Sequence, residues 1–135
     1  MENVPDFERQ RKALCDAADI FLRQNFSPSP KSIKVLMDHD LVVIRVHDFL
    51  CRAEIEMGKE KRNTEIIHEL HSKVFDKVKA ALVERIEQIT RKKVKSSQMN
   101  INCESELCVM DFHLASKPDK ENRRLALLTM SQEKE

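Results

Sequence analysis

The sequence predicts an α+β fold in two layers: a four-stranded, mostly antiparallel sheet packed on a long helix, in the order α-β-β-α-α-β-β. Three observations predict it. Residues 63–93 carry apolar side chains at Ile67, Leu70, Val74, Val78, Ala81, Leu82, Ile86 and Ile89. Steps of three and four residues, with no Gly or Pro between them, draw one stripe along an unbroken helix roughly 40 Å long. Ahead of it, residues 32–38 and 41–48 read as two strands about a polar Asp38-His39-Asp40 turn. Behind it, residues 94–103 and 107–115 do the same about Glu104-Ser105-Glu106.

The first helix is expected over residues 6–26, with Pro5 ahead of it and Phe7, Leu14, Ala18, Phe21 and Leu22 on its apolar side. Ser27-Pro28-Ser29-Pro30 ends it, since proline lacks a donor and pushes the preceding residue out of the helical region. In the first strand Ile33, Val35 and Met37 share a face. In the second, Val42, Ile44 and Val46 face one way and Leu41, Val43, Arg45 and His47 the other. Residues 49–57 read as a short helix. Gly58, the single glycine, follows it where a left-handed cap is expected.

Asn63 or Thr64 can cap the long helix, and Arg91, Lys92 and Lys93 suit its negative end. In the third strand Met99, Ile101 and Cys103 keep period two while Val94 has the other parity, so a bulge is expected near its start. In the fourth, Cys108, Met110, Phe112 and Leu114 share a face opposite Leu107, Val109, Asp111 and His113. Residues 1–115 thus read as a single α+β domain. Residues 116–135 form a charged C-terminal tail, helical or disordered, in which Leu125, Leu127, Leu128 and Met130 would give a short docking helix.

Lys plus Arg number 24 against 23 for Asp plus Glu, so net charge gives no pull toward nucleic acid or anionic lipid. One Gly and no Trp or Tyr speak against Gly-rich phosphate loops and base-stacking platforms. No apolar run approaches the ~20 residues that span a bilayer, and the N-terminus lacks the pattern of a signal peptide. A cytoplasmic protein is expected, its four cysteines reduced.

Candidate chemistry is sparse. His68 and His71 lie three apart on the long helix near Glu65 and Glu69. Neighbouring imidazoles on one face could start a metal site, but the spacing is not His-Glu-x-x-His, and two polar residues on a solvated face is the simpler account. Arg45, His47 and Asp48 cluster where the second strand ends and could bind an anion. With Asp48 three residues after Arg45, an internal ion pair or a helix cap is the simpler account. Together these five residues are the ligand-binding candidates. Cys103 and Cys108 flank the last turn, where they would lie opposite one another as a redox pair or as two half-buried thiols. Arg91, Lys92, Lys93 and Lys95 could meet phosphate but suit a helix end better. No catalytic set, cofactor motif or metal motif stands out.

The order of motifs resembles a known family. Asp40-Leu41-Val42-Val43-Ile44-Arg45-Val46 is followed by Phe49-Leu50 and Ala53-Glu54. Then comes a long helix with Ile66-Ile67 and Leu82, closing as Ile86-Glu87-Gln88-Ile89-Thr90, and a strand opening at Val94. Over residues 6–114 this resembles small bacterial proteins first grouped as a domain of unknown function, DUF2294, and later relabelled MpsC-like, the C component of a sodium-translocating, membrane-potential-generating system. The family usually has Thr-Pro before Ala-Glu, where this chain has Cys51-Arg52. It often has Gly after the closing Thr, where this chain has Arg91, and it tends to carry an Arg near His71 that is missing here. That missing Arg withholds any shared anion site.

The resemblance implies a non-enzymatic, protein-binding accessory role beside a sodium or inorganic-carbon membrane transport system, with no catalytic residues to carry over. The expected protein is a homodimer, because the second sheet face keeps Leu41, Val43, Leu107 and Val109 for another subunit to cover. It would sit in the cytoplasm, at the inner face of the membrane when bound to its partner. A small-ligand, anion or metal sensor is the alternative, and nucleic-acid binding ranks last.

Overall fold

The computed structural model describes residues 3–26 and 32–115. In chain order the elements are α1 (Asn3–Asn25), β1 (Ser32–Asp38), β2 (Leu41–His47), α2 (Arg52–Met57), α3 (Lys61–Val78), α4 (Ala80–Thr90), β3 (Val94–Asn102) and β4 (Leu107–Leu114). The expected α+β order is present, with the long helix divided in two. The tail at residues 116–135 and the Ser-Pro segment at residues 27–30 lie outside the described residues.

The strands form one sheet in the order β1-β2-β4-β3, and every neighbouring pair is antiparallel. The two hairpins therefore lie side by side with β2 and β4 central. Val42, Ile44 and Val46 alternate into the core from β2, as Cys108, Met110, Phe112 and Leu114 do from β4, and all seven are buried. The expected irregularity in β3 is a register shift between Val94 and Ser96.

The helices pack on that buried face. α1 starts at Asn3 rather than residue 6, because Pro5 falls in the first turn, where its missing N–H removes no helical bond. Leu14, Ala17, Ala18, Phe21 and Leu22 are its buried side, whereas Phe7 is exposed. α1 lies against β1 and α4, and α3 lies along β3. α3 also covers the outer edge of β3: Ser72 Oγ donates to the Met99 carbonyl at 3.3 Å, and His68 Nε2 is 3.2 Å from Asn100 Oδ1.

The unbroken helix expected over residues 63–93 is corrected in three ways. It begins at Lys61, it is interrupted at Lys79 and it stops at Thr90. Lys79 has φ −69° and ψ −15°, flatter than α-helix, although its N–H still reaches Phe75 O at 2.8 Å and its carbonyl accepts from Val83 N–H at 2.8 Å. The interruption lets two segments serve two neighbours, α3 on β3 and α4 on α1. The buried line is also rotated. It runs through Ile67, Phe75, Leu82, Ile86 and Thr90, while Leu70 is 56% exposed and Ala81 is exposed.

Arg91 closes α4 in the left-handed region at φ 63°, its N–H bonded to Glu87 O at 2.7 Å. Thr90 Oγ1 donates to Ile86 O, and Glu87 Oε2 accepts from Val94 N–H, which ties the corner to β3. A side chain at positive φ is strained. Arg91→Gly is therefore expected to raise stability by about 0.5–1 kcal/mol, seen as a higher urea midpoint at unchanged slope. A lower midpoint would show that strain is not the dominant effect at this corner.

The short helix expected over residues 49–57 forms only from Arg52. Asp48 has φ 56° and Phe49 N–H bonds Glu106 O at 3.1 Å, so Phe49 and Leu50 turn into the core as loop residues before Cys51 starts α2. Gly58 is not left-handed as expected; its φ is −71°. Glycine fits there because a Cβ would stand 3.2 Å from Cys103 Cβ and 3.2 Å from Glu54 O.

Candidate functional site

Two features stand out from the fold. The first is a polar pair set into an aromatic pocket. His71 on α3 packs against Phe26, at 5.8 Å between ring centroids, and Phe49, at 5.1 Å in an edge-on arrangement, and those two rings are 5.6 Å apart, so the three make a triangle. The ring row continues from Phe26 to Phe21, Phe75 and Phe112, with centroid separations of 5.9, 6.1 and 6.1 Å. His71 Nε2 is 2.7 Å from Glu54 Oε2, and the two side chains are only 13% and 20% exposed. The other ring nitrogen, Nδ1, is buried with no hydrogen-bond partner. The tautomer with hydrogen on Nε2 fits this geometry, since it donates to Glu54 and leaves a bare lone pair at Nδ1.

Glu54 is held from a second side. Its Oε1 accepts the Cys51 N–H at 3.0 Å, the backward half of a capping box at the start of α2. Burial raises the Glu54 pKa, but the bonds from Cys51 and His71 outweigh burial and hold the carboxyl below its ordinary value. The pair thus fastens α2 to α3 and plugs the aromatic pocket.

The second feature is the sheet face away from the helices. Lys34 and Leu36 from β1, Leu41, Val43, Arg45 and His47 from β2, and Leu107, Val109, Asp111 and His113 from β4 lie on it. No residue of this face is buried, whereas every core-facing residue of β2 and β4 is. Val43 stands between Leu36 and Asp111, and Arg45 between Lys34 and Val109. Apolar and charged side chains are therefore interleaved across one surface that no helix among the described residues covers.

The five ligand-binding candidates are divided between places. Arg45 and His47 lie on the open face, and Asp48 occupies the positive-φ corner after β2. His68 meets Asn100 at the β3 edge, and His71 meets Glu54. The pairing with Glu54 escaped sequence reasoning, which set His71 beside Glu65 and Glu69. The available signal was Glu54 three residues after Cys51, the spacing of a capping box.

Cys103 and Cys108 do not lie opposite one another. Cys108 pairs with Ile101, Asn102 is the last residue of β3 in the ladder, and both thiols are free. Burial pushes the Cys108 thiol up to about 12, so it packs as an unreactive apolar group. Burial, then the nearby Glu54 charge, raises Cys103 as well. Among the described residues, the metal-type donors that converge are Asp38, His39 and Asp40, all exposed in the β1–β2 turn. Of the basic run, Lys92 Nζ donates to the His39 carbonyl and so joins the helix end to that turn.

No helix among the described residues is long and apolar enough to cross a membrane. No curated protein and no solved structure matches the chain. A family model does: residues 8–116, from early α1 to just past β4, match the family described as "Na+-translocating membrane potential-generating system (MpsC)". That span includes both the His71–Glu54 pair and the open sheet face, and the chain belongs to the MpsC family.

Proposed function

We propose that this chain is a non-enzymatic accessory subunit or regulator of a sodium or inorganic-carbon membrane transport system. It would act as a cytoplasmic homodimer at the inner face of the membrane, by binding another protein. Family membership supports the transport link. The observation that carries the binding role is the uncovered face of β2 and β4, where Leu41, Val43, Leu107 and Val109 stay half-buried between charged neighbours. Protein-recognition surfaces are about as apolar as the rest of a protein's surface, and mixed apolar and charged groups of this kind are common in them.

Val109→Asp tests it. The side chain lies on the open face, so the core keeps its packing, while a hydrated carboxylate beside Arg45 in place of an apolar contact should weaken partner recovery about tenfold or more. Recovery is read by co-purification from detergent-solubilised membranes. If the wild-type chain brings down no membrane protein, or if Val109→Asp recovers as much as wild type, the reading fails. A second reading, a ligand or ion sensor, has in its favour the buried, unbonded Nδ1 of His71. Thermal unfolding unchanged by divalent metals, bicarbonate and nucleotides would remove it.

A further inference from the structure

We infer that the homodimer forms by antiparallel pairing of β1 with β1 of a second copy, making one eight-stranded sheet. This rests on the homodimer reading above, but moves the contact from the open face, where the sequence set it, to the edge of the sheet.

The two edges of the sheet differ. β3 is broken by its register shift and its outer side is met by Ser72 and His68 of α3. β1 runs from Ser32 to Asp38 with no bulge and no proline, and among the described residues β2 is its sole neighbour in the sheet. Bare edges of this kind are what strand addition uses, and natural sheets otherwise guard them.

The direction of the free groups follows from the hairpin. Asp38 and Leu41 close it around two residues, so Ser32, Lys34, Leu36 and Asp38 bond to β2 and the N–H and C=O of Ile33, Val35 and Met37 point outward. On the same side Cys15 of α1 already donates its Sγ–H weakly to the Ile33 carbonyl at 3.9 Å, which leaves that oxygen a second lone pair for a strand partner. The outward set is self-complementary. A two-fold axis at Val35 pairs Val35 with Val35 of the second copy and Ile33 with Met37 of the second copy, so every outward donor meets an outward acceptor.

The side chains agree with that register. Ile33 and Met37 are only half-buried on the core side, and each would cover the other across the axis. On the open face Lys34 stands opposite Leu36 of the second copy, its aliphatic stem over a leucine that is 43% exposed. A cleft of about 520 Å³ runs between β1 and α1, lined also by Glu8, Arg11 and Lys12. The pairing leaves Leu41, Val43, Leu107 and Val109 uncovered, so the two open faces join into one surface for a third protein.

Met37→Pro is the test, because it removes an N–H that β2 does not use while the chain's own ladder stays intact. Sedimentation of the full chain should give a dimer for wild type and a monomer for Met37→Pro, with association weakened about tenfold or more. As a check that needs no proline, Lys34→Cys and Leu36→Cys variants mixed under oxidation should give a covalent heterodimer faster than either alone forms a homodimer. A wild-type monomer, or a dimer unaffected by Met37→Pro with no preferred crosslink, overturns the pairing. Val109→Asp should remain dimeric while losing the membrane partner, so failure of this contact and failure of the accessory role read out separately.

Discussion

Phe75→Ala is expected to destabilise the chain by about 3–5 kcal/mol, enough to lower the melting temperature by about 10 °C. Phe75 is fully buried at the end of α3. Its ring meets Phe21 of α1 edge-on, at 6.1 Å and 89°, and lies 6.1 Å from Phe112 of β4. Truncation would remove a side chain that touches the first helix and a central strand at once, leaving a cavity in the core. Leu70→Ala on the same helix is the control. That side chain is 56% exposed, so its loss should stay within about 0.5 kcal/mol. Urea unfolding followed by far-ultraviolet circular dichroism measures both. Equal effects would mean that the apolar stripe runs through Leu70 after all.

That pair of variants also shows where the sequence was legible. The strands were readable to within a residue because period two is rigid: a residue on the wrong parity faces the wrong side of the sheet, so Val42, Ile44, Val46 and their partners on β4 declare themselves. The helix was readable as a helix, but its buried line was not. Stripe counting admits only apolar residues, and the true line includes His71 and Thr90, whose polar atoms bond to Glu54 and to the Ile86 carbonyl. With those two left out, the best apolar stripe shifts by one position, from Phe75 to Val74. The interruption at Lys79 has no Gly or Pro to announce it; it comes from packing against two different neighbours.

The site was less legible than the fold for a related reason. Sequence proximity suggests Glu65 and Glu69 for His71, but spacings of six and two residues put neither on the same helix face as the imidazole. Its partner lies 17 residues away on another helix, and only the tertiary fold brings the two together. The open face was readable, since alternation predicts both sides of a strand. What covers it was not, because alternation carries no information about a second molecule.

Removing Glu54 is the second large effect expected. Glu54→Ala takes away the acceptor for His71 Nε2–H and for the Cys51 N–H in one step. It leaves a mostly buried imidazole against Phe26 and Phe49 with neither nitrogen bonded, at a loss of about 1–3 kcal/mol. Acid should separate the charge from the hydrogen bonds. Since the folded carboxyl is held below its ordinary value of 4.5, the unfolded chain takes up that proton first as pH falls. The stabilisation is complete above that pH and drains away as pH drops through the lower, folded value. Glu54→Gln keeps an oxygen for Cys51 and cannot titrate, so its stability curve should lack this acid-side decline. Urea midpoints between about pH 3 and pH 7 for wild type and Glu54→Gln should therefore converge toward the acid end. Parallel curves across that range would mean that Glu54 carries no linked proton and that the pair holds α2 to α3 by packing alone.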